Sequence, residues 1–189
     1  MNYWLPKFAL LAVMLICISP TFAYPAFQKF SQKHSSRIVS CAMCHVNAQG
    51  PSGQEEGQLL SLNTAELEKV DAARDASAPG VDVNSPIMNR FGNHIIKTLG
   101  MDKINEAVAD PALLAKELGN KSDLDDDGIS DSQEFLDGTD PLNKFNGDPF
   151  KLFWINLSKY KLELLFVTAA MGLIIFGLSN CIKRWQETK

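Results

Sequence analysis

The run Cys41-Ala42-Met43-Cys44-His45 sets the reading of this chain. Two thiols three residues apart, followed at once by a histidine, form a covalent c-type haem attachment motif. The thiols reach the two vinyl groups of one porphyrin. The adjacent histidine supplies an axial nitrogen to its iron. With the second axial position filled, such a haem carries electrons; with it open, it binds small ligands. Cys41 and Cys44 are therefore the expected covalent anchors, and His45 the expected proximal ligand.

Working outward from the motif, both ends of the chain are apolar. Met1 to Lys7 is a short, weakly basic start, Phe8 to Ile18 an apolar run, and Thr21-Phe22-Ala23 a small-residue cleavage site. Residues 1–23 thus read as a secretory signal peptide. Cys17 leaves with that leader, so the exported chain keeps Cys41, Cys44 and Cys181. Two of these are committed to haem and the third has no partner in sequence, so a disulfide framework is not expected.

At the other end, residues 164–182 contain no charge and are long enough to cross the hydrocarbon core as one helix. Trp154 and Tyr160 precede the span and Trp185 follows it, as interfacial aromatics do. Lys183 and Arg184 put the tail, residues 183–189, in the cytoplasm by the positive-inside rule. Residues 149–163 mix Phe, Leu and Trp with lysine and read as a segment lying along the outer membrane boundary. The expected location is the cytoplasmic membrane, single-pass, with the N-terminal part outside. A net charge of −4 without a basic patch argues against a nucleic-acid partner.

Between the ends the pattern is all-α. Residues 24–119 read as one small cytochrome c-like helical domain. Phe27, Phe30 and His34 share the face of a first helix. Asn63 with Glu66 three residues on resembles the start of a second, ended by Ala78-Pro79-Gly80. Ser85-Pro86 opens a third, closed by Gly100, and Asp110-Pro111 opens a fourth, closed by Gly119. So small a set of helices is expected to use the flat face of the haem as the centre of its core.

The sixth iron position has several candidates. His94 sits among Ile87, Phe91 and Ile95 and is the leading choice. Met88 is the alternative, and Met/His ligation raises the potential. On one continuous helix the two point about 120° apart, so only one can reach the iron. His34 or an open site completes the set. Arg37 and Arg90 are candidate partners for the haem propionates.

A second metal site is written into residues 120–148. Asp123-Leu124-Asp125-Asp126-Asp127-Gly128-Ile129-Ser130-Asp131-Ser132-Gln133-Glu134 matches the twelve-residue EF-hand loop. Asp123, Asp125 and Asp127 offer side-chain oxygens, and Ile129 its backbone carbonyl. Asp131 acts directly or through water, and Glu134 closes the site with both oxygens. Gly128 permits the sharp turn. So many hard oxygens suit Ca2+. There is one loop, not a pair, and it is expected to clip a stalk between the helical domain and the membrane.

Three words in the sequence carry a resemblance: Tyr24-Pro25-Ala26-Phe27, Ser40 through His45, and Phe91-Gly92. Together they resemble exported bacterial monohaem c-type cytochromes over about the N-terminal half. The acidic loop, with the trailing Gly138-Thr139-Asp140-Pro141, resembles the calcium loops of dockerins and bacterial surface proteins. The resemblance implies single-electron transfer to redox proteins of the membrane or periplasm, as a carrier or subunit. No general acid, nucleophile or substrate pocket is visible, so no catalytic residue is expected. Two rival readings remain: a five-coordinate haem sensor or enzyme subunit, and a calcium-dependent docking module.

Overall fold

A computed structural model of the protein describes residues 25–188. The leader expected over residues 1–23 lies outside the described residues. Those described form eight α-helices and no strand, which agrees with the all-α expectation. They are α1 (Pro25–Ser35), α2 (Thr64–Arg74), α3 (Arg90–Leu99), α4 (Met101–Ala109), α5 (Ala112–Leu118), α6 (Asp131–Asp137), α7 (Pro149–Lys159) and α8 (Lys161–Glu187).

Local signals explain most of these. Asn63 accepts from Glu66 N at 3.0 Å while the Glu66 carboxylate accepts from Asn63 N at 2.9 Å, closing the capping box of α2. That helix ends at Arg74, before the Ala78-Pro79-Gly80 stop. The third helix starts later than Pro86 suggests. Asn89 is its cap, accepting from Gly92 N at 2.8 Å, and residues 86–88 form a turn. Met88 is therefore outside α3, and the 120° argument between Met88 and His94 does not apply. α4 was not expected at all; it follows Gly100 directly and has no side-chain cap.

The core is made of side chains. Met43, Phe91, Ile95, Leu99, Leu114 and Phe135 are buried together, with Phe91 and Leu114 almost completely enclosed. α1, α3, α4 and α5 pack around this cluster, and α6 packs on both α1 and α5. A smaller cluster of Ala73, Ala76 and Ile96 ties α2 to α3, with Met88 and Met101 against it.

Residues 120–148, expected as a stalk, thus contribute directly to the main core through Phe135, with Leu124, Leu136 and Leu142 around it. The physical reason is the apolar face of α6: Phe135 is 1% exposed and its ring stacks on Phe30 of α1. α7 is capped by Asp148, whose carboxylate accepts from Phe150 N and Lys151 N at 3.1 and 3.0 Å. α8 is long and apolar enough to cross a membrane, and none of its residues is buried. Its 27 residues extend about 40 Å as a helix, more than the roughly 30 Å hydrocarbon core needs.

Candidate functional site

The attachment motif is folded into a tight turn. Cys41–Met43 is one turn of 3-10 helix, capped by Ser40, whose hydroxyl accepts from Ala42 N at 3.2 Å. Cys44 N and His45 N both donate to the Cys41 carbonyl, at 3.1 and 2.9 Å. This places Cys41, Cys44 and His45 on successive steps of one turn.

The segment before α3 holds that turn from outside. His45 and Met88 form an isolated antiparallel bridge. Asn89 N donates to the Cys44 carbonyl at 3.0 Å, and Val46 N donates to the Ile87 carbonyl at 3.2 Å. The Asn89 amide donates to the carbonyls of Ala42 and Met43, at 2.7 and 3.0 Å. Asn93 stiffens the holder, accepting from Ser85 N and donating to the Met88 carbonyl. Gly92 completes it: a Cβ there would lie 2.2 Å from the Cys44 carbonyl oxygen, so only glycine lets α3 approach.

His45 Nδ1 lies 3.2 Å from the Ile87 carbonyl oxygen. A carbonyl only accepts, so Nδ1 carries the proton and Nε2 keeps its lone pair. Metal-binding histidines are oriented in this way, by a second hydrogen bond from the other ring nitrogen. Burial also lowers the His45 pKa, against the opposing effect of the Ile87 carbonyl, and favours the neutral ring a metal needs. The Cys44 thiol is pushed up to about 12, chiefly by burial and then by Cys41. Cys41 is half-buried, with Sγ 3.9 Å from Gln28 Oε1. Two free thiols and an oriented imidazole on one turn are a donor set that fits a covalent haem.

The candidates for the sixth position are placed differently. Met88 is brought to the attachment turn by its backbone, and its thioether packs toward Gly92. His94 is half-buried, with Nε2 3.3 Å from Thr98 Oγ1. It stands about 200° around α3 from Gly92, the residue pressed on Cys44. His34 is exposed; its Nδ1 lies 3.0 Å from the Leu136 carbonyl oxygen and its ring stacks on Phe30. Arg37 pairs with Asp148 at 3.5 Å, and Arg90 donates to the Leu124 carbonyl. Both arginines reach toward the C-terminal segments.

The acidic loop gathers carboxylates that could hold a cation. Asp123, Asp125 and Asp127 bring carboxylate oxygens within 4.8 Å of one another. Backbone amides organise them: Gly128 N donates to Asp123 at 2.8 Å, and Ile129 N to Asp127 at 2.6 Å. Gly128 has φ +95°, the left-handed turn that the sixth position of the loop requires. Glu134 is fully buried and accepts from Thr139 Oγ1 at 3.2 Å through Oε1. Its Oε2, with Asp125 Oδ2 and Asp127 Oδ2, is buried without a hydrogen-bond partner.

Such oxygens are costly unless something positive meets them. Burial, then the charges of Asp125 and Asp127, raise the Glu134 pKa to about 9. Burial and Asp127 raise that of Asp125 to about 6, and Asp127 is raised chiefly by burial. Asp131 has a different role. Its Oδ1 accepts from Leu124 N at 2.9 Å and its Oδ2 from the Ser122 hydroxyl, so it braces the loop's two ends. The orphaned oxygens fit Ca2+ held by Asp123, Asp125, Asp127 and Glu134, with the Ile129 carbonyl.

The sequence reading missed Ile87, Asn89 and Asn93 as holders of the attachment turn. Only the Asn89-to-Gly92 spacing, an N-cap signal, pointed to them. Comparison with known proteins adds no identification: no family model, curated protein or solved structure matches the chain.

Proposed function

We propose that this chain is a membrane-anchored monohaem c-type cytochrome that transfers single electrons outside the cytoplasmic membrane. The observation that carries the reading is the Cys41–His45 motif with His45 Nδ1 tied to the Ile87 carbonyl. That bond leaves Nε2 as a ready axial donor. A haem bound there supplies a one-electron iron couple whose potential follows its axial ligands and burial. Cys41 and Cys44 hold it through thioethers, the Asn89 amide fixes the turn between them, and the Ile87 carbonyl sets the ring plane of His45.

α8 serves as the anchor, with Lys183 and Arg184 on the cytoplasmic side. Ca2+ occupies the Asp123–Glu134 loop. The partners are redox proteins of the membrane or periplasm, and the chain acts as a carrier or a subunit with no substrate chemistry of its own. A five-coordinate haem that binds a small gas is the second reading. It is favoured by one observation: the His94 and His34 rings are engaged by Thr98 and Leu136.

The test is the absorption spectrum of membranes from cells that express the chain with haem-ligation machinery. A dithionite-reduced, low-spin spectrum unchanged by carbon monoxide supports the carrier. Rapid carbon monoxide binding supports the second reading. Colourless protein removes both.

A further inference from the structure

The acidic loop lies between the same helices that frame the attachment turn. Phe135, next to Glu134, is 1% exposed in the cluster that also holds Met43 and Phe91. Its ring stacks on Phe30 of α1 at 6.0 Å between centroids. Ser31 Oγ donates to the Phe135 carbonyl at 2.6 Å, and the His34 ring meets the Leu136 carbonyl. At the start of the loop, the Leu124 carbonyl accepts from Arg90 of α3. After α6, Gly138 presses against Ser35 and Val39, where a Cβ would lie 2.5 Å from Ser35 Oγ. Val39 leads directly into Ser40 and Cys41.

This docked arrangement has a cost inside the loop. Glu134 is 0% exposed and its Oε2 has no partner, and the same holds for one oxygen each of Asp125 and Asp127. Side-chain burial around Phe135 favours docking, whereas three unpartnered carboxylate oxygens oppose it. One divalent cation reverses the second effect without touching the first.

We propose that Ca2+ binding at this loop favours docking of α6 onto α1 and the core, so that calcium stabilises the whole helical domain and steadies the attachment turn. The inference rests on the reading of the loop as a calcium site. Single extracellular loops of this type bind at about 10⁻⁴–10⁻³ M, weaker than the sensors that work in the cytosol at about 10⁻⁷–10⁻⁵ M. A site of that affinity fills after export, where calcium is plentiful.

The test uses the full chain in detergent micelles, with calcium alone as ligand. Calorimetry reports binding. Hydrogen exchange with millimolar calcium or with EGTA reports where the effect reaches. EGTA is expected to speed exchange in α1, around residues 40–45 and in α6 alike. It should also lower the thermal midpoint, by about 3–5 °C relative to calcium at ten times its dissociation constant. Glu134→Gln should abolish the calcium dependence of exchange in α1. Calcium binding with exchange changes confined to residues 122–134 would overturn the coupling and leave the site reading intact. No calorimetric binding would remove the site reading and the coupling together.

Discussion

The attachment turn and the acidic loop are both short, irregular and rich in metal-binding groups, yet they are finished to different degrees. At the attachment turn the polar groups around His45 are matched. The carbonyls of Ala42, Met43 and Cys44 all have donors, and the imidazole is aimed by Ile87. In the acidic loop, backbone amides are matched but three buried carboxylate oxygens are not. The first region is matched internally: its polar groups find partners within the chain. The second leaves three buried carboxylate oxygens without a partner inside the chain. A covalent cofactor suits the first because attachment chemistry needs a defined turn. An exchangeable cation suits the second.

The largest expected break in this comparison is chemical. Cys44→Ala removes one thioether, so denatured protein should retain far less covalent haem than wild type, read as absorbance after acid–acetone extraction. Next comes Phe135→Ala, which empties a fully enclosed position where the acidic loop meets the core. It should cost about 3–5 kcal/mol of stability in urea unfolding in calcium, and less in EGTA, where α6 is held less firmly on the core. Gly92→Ala follows. A Cβ 2.2 Å from the Cys44 carbonyl oxygen forces α3 away from the turn. The expected cost is about 1–3 kcal/mol, with a shift in the haem spectrum that a remote α3 substitution does not give.

Proton linkage sharpens the contrast further. The Glu134 pKa is raised from 4.5 to about 9 by burial and by the neighbouring Asp125 and Asp127. The folded chain therefore keeps a proton which the unfolded chain releases above 4.5. Its contribution to stability is present at low pH and is lost as pH rises toward about 9. Calcium must displace that proton, so its affinity should rise with pH across the same window, by at most about tenfold per unit for each proton released. Calorimetry at several pH values measures the slope, and a flat profile would show that Glu134 does not bind the ion. The smallest effect is expected for Asn89→Ser. Serine still caps α3 but cannot reach both Ala42 and Met43 carbonyls. The loss should be about 1 kcal/mol in stability, with a measurable change in the haem midpoint potential.

What the sequence made legible was what lies close along the chain. The acidic loop spans twelve consecutive positions, so its candidate oxygen donors could be named before any fold was known. The α2 capping box and the apolar run of α8 are equally local. The start of α3 was misplaced because Pro86 is a plausible first helical residue. Asn89 takes the cap instead, since residues 87–88 are pairing with the attachment turn. α4 was missed because it follows Gly100 with no capping side chain to announce it. The contact that orients His45 joins residues 42 apart in sequence. Phe135 reaches Ser31 and Phe30 across about a hundred residues. No periodicity encodes such pairs; they are decided by which apolar faces find one another. For the same reason the stalk expected over 120–148 is part of the main core.

Intact-mass spectrometry of the denatured, purified chain tests the central claim most directly. The account predicts one species heavier than the polypeptide by a single haem, retained through denaturation and lost in Cys41→Ala/Cys44→Ala. A mass equal to that of the polypeptide alone, from cells that load haem onto other exported proteins, would contradict it.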